Sequence, residues 1–92
     1  MALHTERDRL VDVTVLLFAA HRELAGGKAN TVVTLPERST VDGLLAELRA
    51  RGGGWASLPR RAAVAVNRSY ANGDTVLSEG DEVALIPPVA GG

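Results

Sequence analysis

One stretch of the chain, and only one, has the spacing of a long amphipathic helix. Val41, Leu44, Leu45 and Leu48 fall at i, i+3, i+4 and i+7, which puts four large apolar side chains on one helical face. Ser39 or Thr40 stands at the capping position, Asp42 in the first turn and Arg49 and Arg51 near the end, each on the side that the helix dipole favours. Gly52-Gly53-Gly54 stops the helix. Gly43 inside it costs about 1 kcal/mol relative to alanine, so the helix depends on packing its stripe against another layer.

That layer has to be a sheet, because the remaining apolar residues come in short runs. Val11 to Phe18 reads as a strand buried on both faces. Ala19 to Ala25 is one or two helical turns stopped by Gly26-Gly27, and Thr31 to Leu35 is a second strand ended by Pro36. Trp55 to Arg61 reads as a loop with Trp55 anchored over the core, and Ala62 to Val66 as a third strand. Asn72-Gly73 and Glu79-Gly80-Asp81 are turns, Thr75 to Leu77 pairs briefly between them, and Val83 to Ile86 is the last strand. One helix against four or five strands is an α+β layer pair. The first and last strands are the most apolar and are expected side by side in the centre.

With Phe18, Trp55 and Tyr70 as the only aromatics, the core must be built from Val, Leu and Ala. A net charge of -1 gives no electrostatic basis for binding nucleic acid. The chain has no cysteine, which removes disulfides, thiolate nucleophiles and thiolate-ligated zinc. The run from Val13 to Ala20 is far short of the roughly 20 residues that span a bilayer, so no membrane partner is expected. Residues 1–10 carry four charges and no apolar stretch, unlike a signal peptide, and the expected location is cytoplasmic. The expected organisation is a loose arm over residues 1–11, a body over 12–86 and an extended tail over 87–92.

The tail reads Pro87-Pro88-Val89-Ala90-Gly91-Gly92. Its prolines hold extended geometry, its side chains are small and uncharged, and its glycines lack a Cβ that would obstruct a narrow channel. Six residues at about 3.1 Å each reach roughly 19 Å. What such an arm presents at Gly92 is a carboxylate.

Three segments carry a family resemblance: Leu16-Leu17-Phe18-Ala19-Ala20-His21-Arg22-Glu23-Leu24-Ala25-Gly26, Ala65-Val66-Asn67, and Gly80-Asp81-Glu82-Val83-Ala84-Leu85-Ile86 running into the tail. Together they resemble the ubiquitin-like β-grasp sulfur carriers, most closely those of the small-subunit type in molybdopterin synthase, over roughly residues 12–92. The resemblance implies a β-grasp: a mixed sheet of four to five strands, one main helix and a flexible Gly-Gly tail. It implies that an ATP-dependent, E1-like enzyme adenylates Gly92 transiently, that a sulfur donor protein converts it to a thiocarboxylate, and that the large synthase subunit receives the tail within a heterotetramer. Pro87, Pro88, Val89, Ala90 and Gly91 would then thread the channel, with no permanently bound cofactor and no metal. Leu85 and Ile86 stand where the family often has aromatics, and they are docking candidates together with Arg60 and Arg61, which also read as a solvated pair.

Rival readings are a sulfur carrier for thiamine or another pathway, a protein modifier conjugated to lysines, and a plain binding module. The catalytic groups are expected in the partners. His21 has no second histidine near it in sequence and reads as a surface or helix-flank residue; His4 lies in the arm. Asp81 and Glu82 read as turn residues or as contacts to a basic partner groove. Gly52 to Gly54 lacks the Gly-Lys-Ser/Thr continuation of a phosphate loop. An apolar sheet surface near Val15, Leu17, Val64 and Ile86 is a further docking hypothesis, against the reading that these residues lie under the helix.

Overall fold

The computed structural model describes residues 9–59 and 62–86. In chain order the elements are β1 (Leu10–Leu17), a 3₁₀ segment (Ala19–Ala25), β2 (Asn30–Pro36), α1 (Val41–Ala50), a second 3₁₀ segment (Gly53–Ser57), β3 (Ala63–Val66), β4 (Ser69–Ala71) and β5 (Glu82–Ile86). The five strands form one mixed sheet in the order β2-β1-β5-β3-β4. β1 and β5 lie side by side and parallel at its centre, and the other pairings are antiparallel. This is the expected α+β arrangement.

The helix forms where its stripe predicted. Thr40 Oγ1 accepts from Gly43 N at 3.1 Å, which makes Thr40 the cap. The next two donors are satisfied from outside the helix: Val41 N donates to Thr75 O at 3.0 Å and Asp42 N to Gly73 O at 2.9 Å. These bonds tie the start of α1 to the loop after β4. Val41, Leu44, Leu45 and Leu48 are all buried, and they meet Val11, Val13, Val15, Leu17, Val33, Leu35, Val64, Val83 and Leu85 from the sheet. Trp55 and Leu58 belong to this core, and Arg51 lies over the Trp55 ring at 5.9 Å. No polar or charged residue is buried among the described residues. None of the described helices is long and apolar enough to cross a membrane.

Several details differ from the sequence reading. β1 is buried on one face only, with Asp12 exposed and Thr14 and Leu16 half-buried on the other, because α1 covers a single face of the sheet. The expected loop from Trp55 begins inside a 3₁₀ segment. β1 begins at Leu10, two residues before the expected start of the folded body. Thr75 to Leu77 forms only a single bridge, Thr40 to Val76. The short strand lies earlier, in the β3–β4 hairpin, where Val66 pairs with Ser69 across Asn67-Arg68. Both turn residues have positive φ, 49° and 74°, as a two-residue primed turn requires. Glycine usually takes the second position, and Arg68 there costs about 1 kcal/mol; without that glycine the turn carried no signal.

Candidate functional site

The Pro87, Pro88, Val89, Ala90, Gly91 and Gly92 tail lies outside the described residues, as do Arg60 and Arg61. What the structure supplies is the platform from which the tail leaves. β5 is held on both sides: Leu85 pairs with Leu17 of β1 and with Val64 of β3, and Ile86 pairs with Ala63. The tail therefore starts from a central strand fixed by two ladders.

The other end of β5 is fixed by a polar knot. Gly80 has φ +84°, a left-handed conformation that suits glycine, and its N donates to Asp12 O at 2.8 Å. Asp12 N donates back to Glu79 Oε1 at 2.9 Å. Asp81 accepts from Ser78 N at 2.8 Å and from Asn67 Nδ2 at 3.0 Å. Asn67 completes the arrangement: its Oδ1 accepts from Glu82 N at 3.0 Å, and its own N donates to Glu82 O at 2.8 Å. Asp81 is thus a turn residue, as expected, and the Gly-Asp-Glu run sets where β5 enters the sheet.

Among the described residues, the sheet has one face under α1 and one open. Strand alternation sends successive side chains to opposite faces, and the buried parity is Val15, Leu17, Val64, Val83 and Leu85. This settles one open alternative and corrects one expectation. Val15, Leu17 and Val64 form core and not a docking surface, because they point at the leucines of α1. Leu85 is completely buried on the same side, so of the Leu85–Ile86 pair only half-buried Ile86 lies on the open face.

The open face carries its own apolar row. Leu16 pairs with Ala84, Ala84 with Ala65, and Ala65 with Tyr70, which gives a continuous line across four strands. Ile86 and Ala63 form the next row toward the tail. Phe18, beyond the end of β1, continues the parity of Leu16 and is 43% exposed; Tyr70 is 81% exposed. Scattered exposed apolar residues are ordinary, but a contiguous patch flanked by aromatics is the composition of an interface. Sequence reasoning missed Leu16, Ala65, Ala84, Phe18 and Tyr70 as members. Their only signal was a shared parity, opposite to that of Leu17 and Leu85.

The described residues hold no metal-ligating constellation. No group of three or more His, Asp or Glu side chains is placed to hold a metal ion. His21 is half-buried, and its Nδ1 has no hydrogen-bond partner. On the α1 side, a groove of about 650 Å³ lies between Val41, Asp42 and Leu45 and the residues Ala62, Ala63 and Ala71 to Asp74. Its carboxylates come without a histidine or lysine among the lining residues.

Residues 15–92 match the ThiS family. The molybdopterin synthase sulfur carrier subunit of Drosophila erecta is 43% identical over 86 residues, spanning 90% of this chain and 93% of that protein. A complex of subunits 1 and 2 of the molybdopterin-converting factor from Helicobacter pylori contains a chain with 26% identity and a TM-score of 0.62, covering 89% of this chain and 100% of that one. The crystal structure of small archaeal modifier protein 1 from H. volcanii has 29% identity and a TM-score of 0.66, covering 86% of this chain and 99% of that one.

Proposed function

The chain belongs to the ThiS family, and from that premise we propose that it is the sulfur-carrier subunit of a molybdopterin synthase, with Gly92 as the group that carries sulfur. The observation that carries the reading is similarity along nearly the whole chain to a sulfur carrier subunit of that synthase. The platform supports it: a doubly paired central strand runs to the root of a slim tail, beside an open apolar face.

In this reading an E1-like enzyme spends ATP to adenylate the Gly92 carboxylate, which turns a poor leaving group into AMP. A donor protein then supplies sulfur, and the resulting thiocarboxylate enters the large subunit. There it gives its sulfur to the pterin precursor and returns as a carboxylate. Pro87, Pro88, Val89, Ala90 and Gly91 keep the arm narrow enough to thread, and Ile86 with Leu16, Ala84, Ala65 and Tyr70 docks on the large subunit in a heterotetramer. The acid–base groups belong to the partners, no cofactor is held permanently, and the cycle runs in the cytoplasm. Likeness to a small archaeal modifier protein favours conjugation to lysines as the second reading.

Intact-mass measurement of the protein isolated from its own cells separates them. The carrier gives a species in which one oxygen is replaced by sulfur, whereas a modifier gives a ladder of larger conjugates. If deletion of Gly92 leaves molybdopterin synthesis intact, the carrier reading fails.

A further inference from the structure

Asn72-Gly73 follows directly on β4, and the asparagine is exposed. Its backbone carbonyl accepts from Thr75 N at 3.2 Å, and its Oδ1 accepts from Thr75 Oγ1 at 3.0 Å. These bonds close the turn and leave two groups idle. Among the described residues, neither Asn72 Nδ2 nor Gly73 N donates a hydrogen bond. They are the leaving group and the nucleophile of an amide cyclisation, and Gly73 carries no Cβ to hinder the approach. Asparagine is one of the thermolabile side chains, and the chain has three, with no glutamine. The other two are placed differently. Asn67 is tied at both ends of its amide, Nδ2 to Asp81 and Oδ1 to Glu82 N. Asn30 lies in β2 before Thr31, whose branched side chain crowds the attacking nitrogen. Asp42-Gly43 could form the same ring, but it sits in the first turn of α1 with Gly43 N bound to Thr40 Oγ1 at 3.1 Å.

We propose that Asn72 is a site of spontaneous modification: it cyclises onto Gly73 N and opens to isoaspartate, which unties α1 from the loop after β4. Hydroxide takes the proton from Gly73 N, and the nitrogen attacks Asn72 Cγ. A C–N bond forms and closes a succinimide. The bond from Cγ to Nδ2 breaks, and that nitrogen takes a proton from water and leaves as ammonia. Hydroxide then adds to the former Asn72 backbone carbonyl carbon, whose bond to Gly73 N breaks, and that nitrogen regains a proton from water. The main chain now runs through Cγ, and the old carbonyl has become a carboxylate. Nothing is oxidised or reduced; water is the only co-reactant.

The place of the turn gives this change its consequence. Val41 N and Asp42 N, at the start of α1, are held by Thr75 O and Gly73 O, both just beyond the new linkage. Isoaspartate adds one methylene to the main chain between β4 and those carbonyls. It also removes the carbonyl that receives Thr75 N. Gly73 is not one of the glycines with positive φ, so its backbone would admit another residue. A Cβ there would instead overlap the Asp42 carboxylate. The glycine that speeds cyclisation is thus also the one that lets the acidic first turn of α1 pack against the loop.

The test incubates the full chain for days at mildly alkaline pH and physiological temperature. The expected result is the mass gain of one amide turned to acid, mapped to Asn72 by fragmentation of its peptide. Most of that product accepts a methyl group from an isoaspartyl methyltransferase, while Asn30, Asn67 and Asp42 stay unchanged. The purified isoaspartate form loses about 4 °C or more of thermal midpoint. Asn72→Asp, which brings the charge without the extra methylene and still accepts from Thr75, keeps a midpoint close to that of the parent chain. In Asn72→Gln the longer side chain disfavours the ring, and the mass gain disappears. No mass gain in the parent chain, earlier deamidation at Asn30 or Asn67, isoaspartate at Asp42 in place of position 72, or an isoaspartate form as stable as Asn72→Asp would each overturn the proposal.

Discussion

The two faces of the central strands are built from the same kinds of residue and do opposite work. On β1 and β5, Val13, Val15, Leu17, Val83 and Leu85 are sealed against α1, while Leu16, Ala84 and Ile86, one residue out of phase, lie half-buried on the open side. The sealed face supplies the free energy that holds the platform, roughly 1.5–3 kcal/mol for each large side chain taken fully out of water. The open face leaves that apolar surface in contact with water, where the proposed docking would use it. Substitutions one residue apart should therefore separate stability from association.

The largest effect is expected from Leu85→Ala. It removes a completely buried side chain between β1, β3 and α1, and a cost of about 2–5 kcal/mol should appear as a large fall in the thermal midpoint. If the midpoint hardly moves, the core is not where the burial places it. Next comes the neighbouring Ile86→Asp, read by titration against the large synthase subunit. A charge on the apolar row should weaken binding more than tenfold, about 1.4 kcal/mol or more, with a thermal midpoint close to that of the parent chain. Equal losses of stability and affinity would erase the distinction between the faces.

Asn67→Ala tests the polar knot that sets the entry of β5. It removes the bonds to Asp81 and to Glu82 N and leaves a less favourable residue at φ 49°. Urea unfolding should show a loss of about 1–2 kcal/mol, and an unchanged midpoint would mean that the knot contributes nothing. The smallest expected effect has the opposite sign. In Gly43→Ala the new Cβ would meet only Thr40 Oγ1, at an ordinary 3.6 Å, on the exposed side of α1. A gain of about 0.5–1 kcal/mol with unaltered partner binding would show that neither face was touched, and destabilisation would contradict the open space seen there.

Much of the fold was legible before any coordinates. The stripe of Val41, Leu44, Leu45 and Leu48 announces a single helix, and the apolar runs at Val11 to Phe18 and Val83 to Ile86 announce the two central strands, now seen parallel and adjacent. The β4 hairpin was not legible, since Asn67-Arg68 makes its turn without the glycine that usually marks it. The candidate site was legible only in part. The tail lies outside the described residues; of the open face, the sequence reading named Ile86, but it placed Leu85 beside it, and Tyr70 and Phe18 went unnoticed.

The amino-acid order by itself decided which segments are helix and strand, because periodicity and turn residues act within a few positions along the chain. Only the tertiary structure decided which parity of β1 and β5 is core. Leu16 and Leu17 are equally apolar, and what separates them is the side on which α1 packs: the leucines of α1 can cover one face of the sheet and leave the other to water. The same packing decided that Leu17 and Leu85, far apart in sequence, share one row, because β1 and β5 pair in parallel.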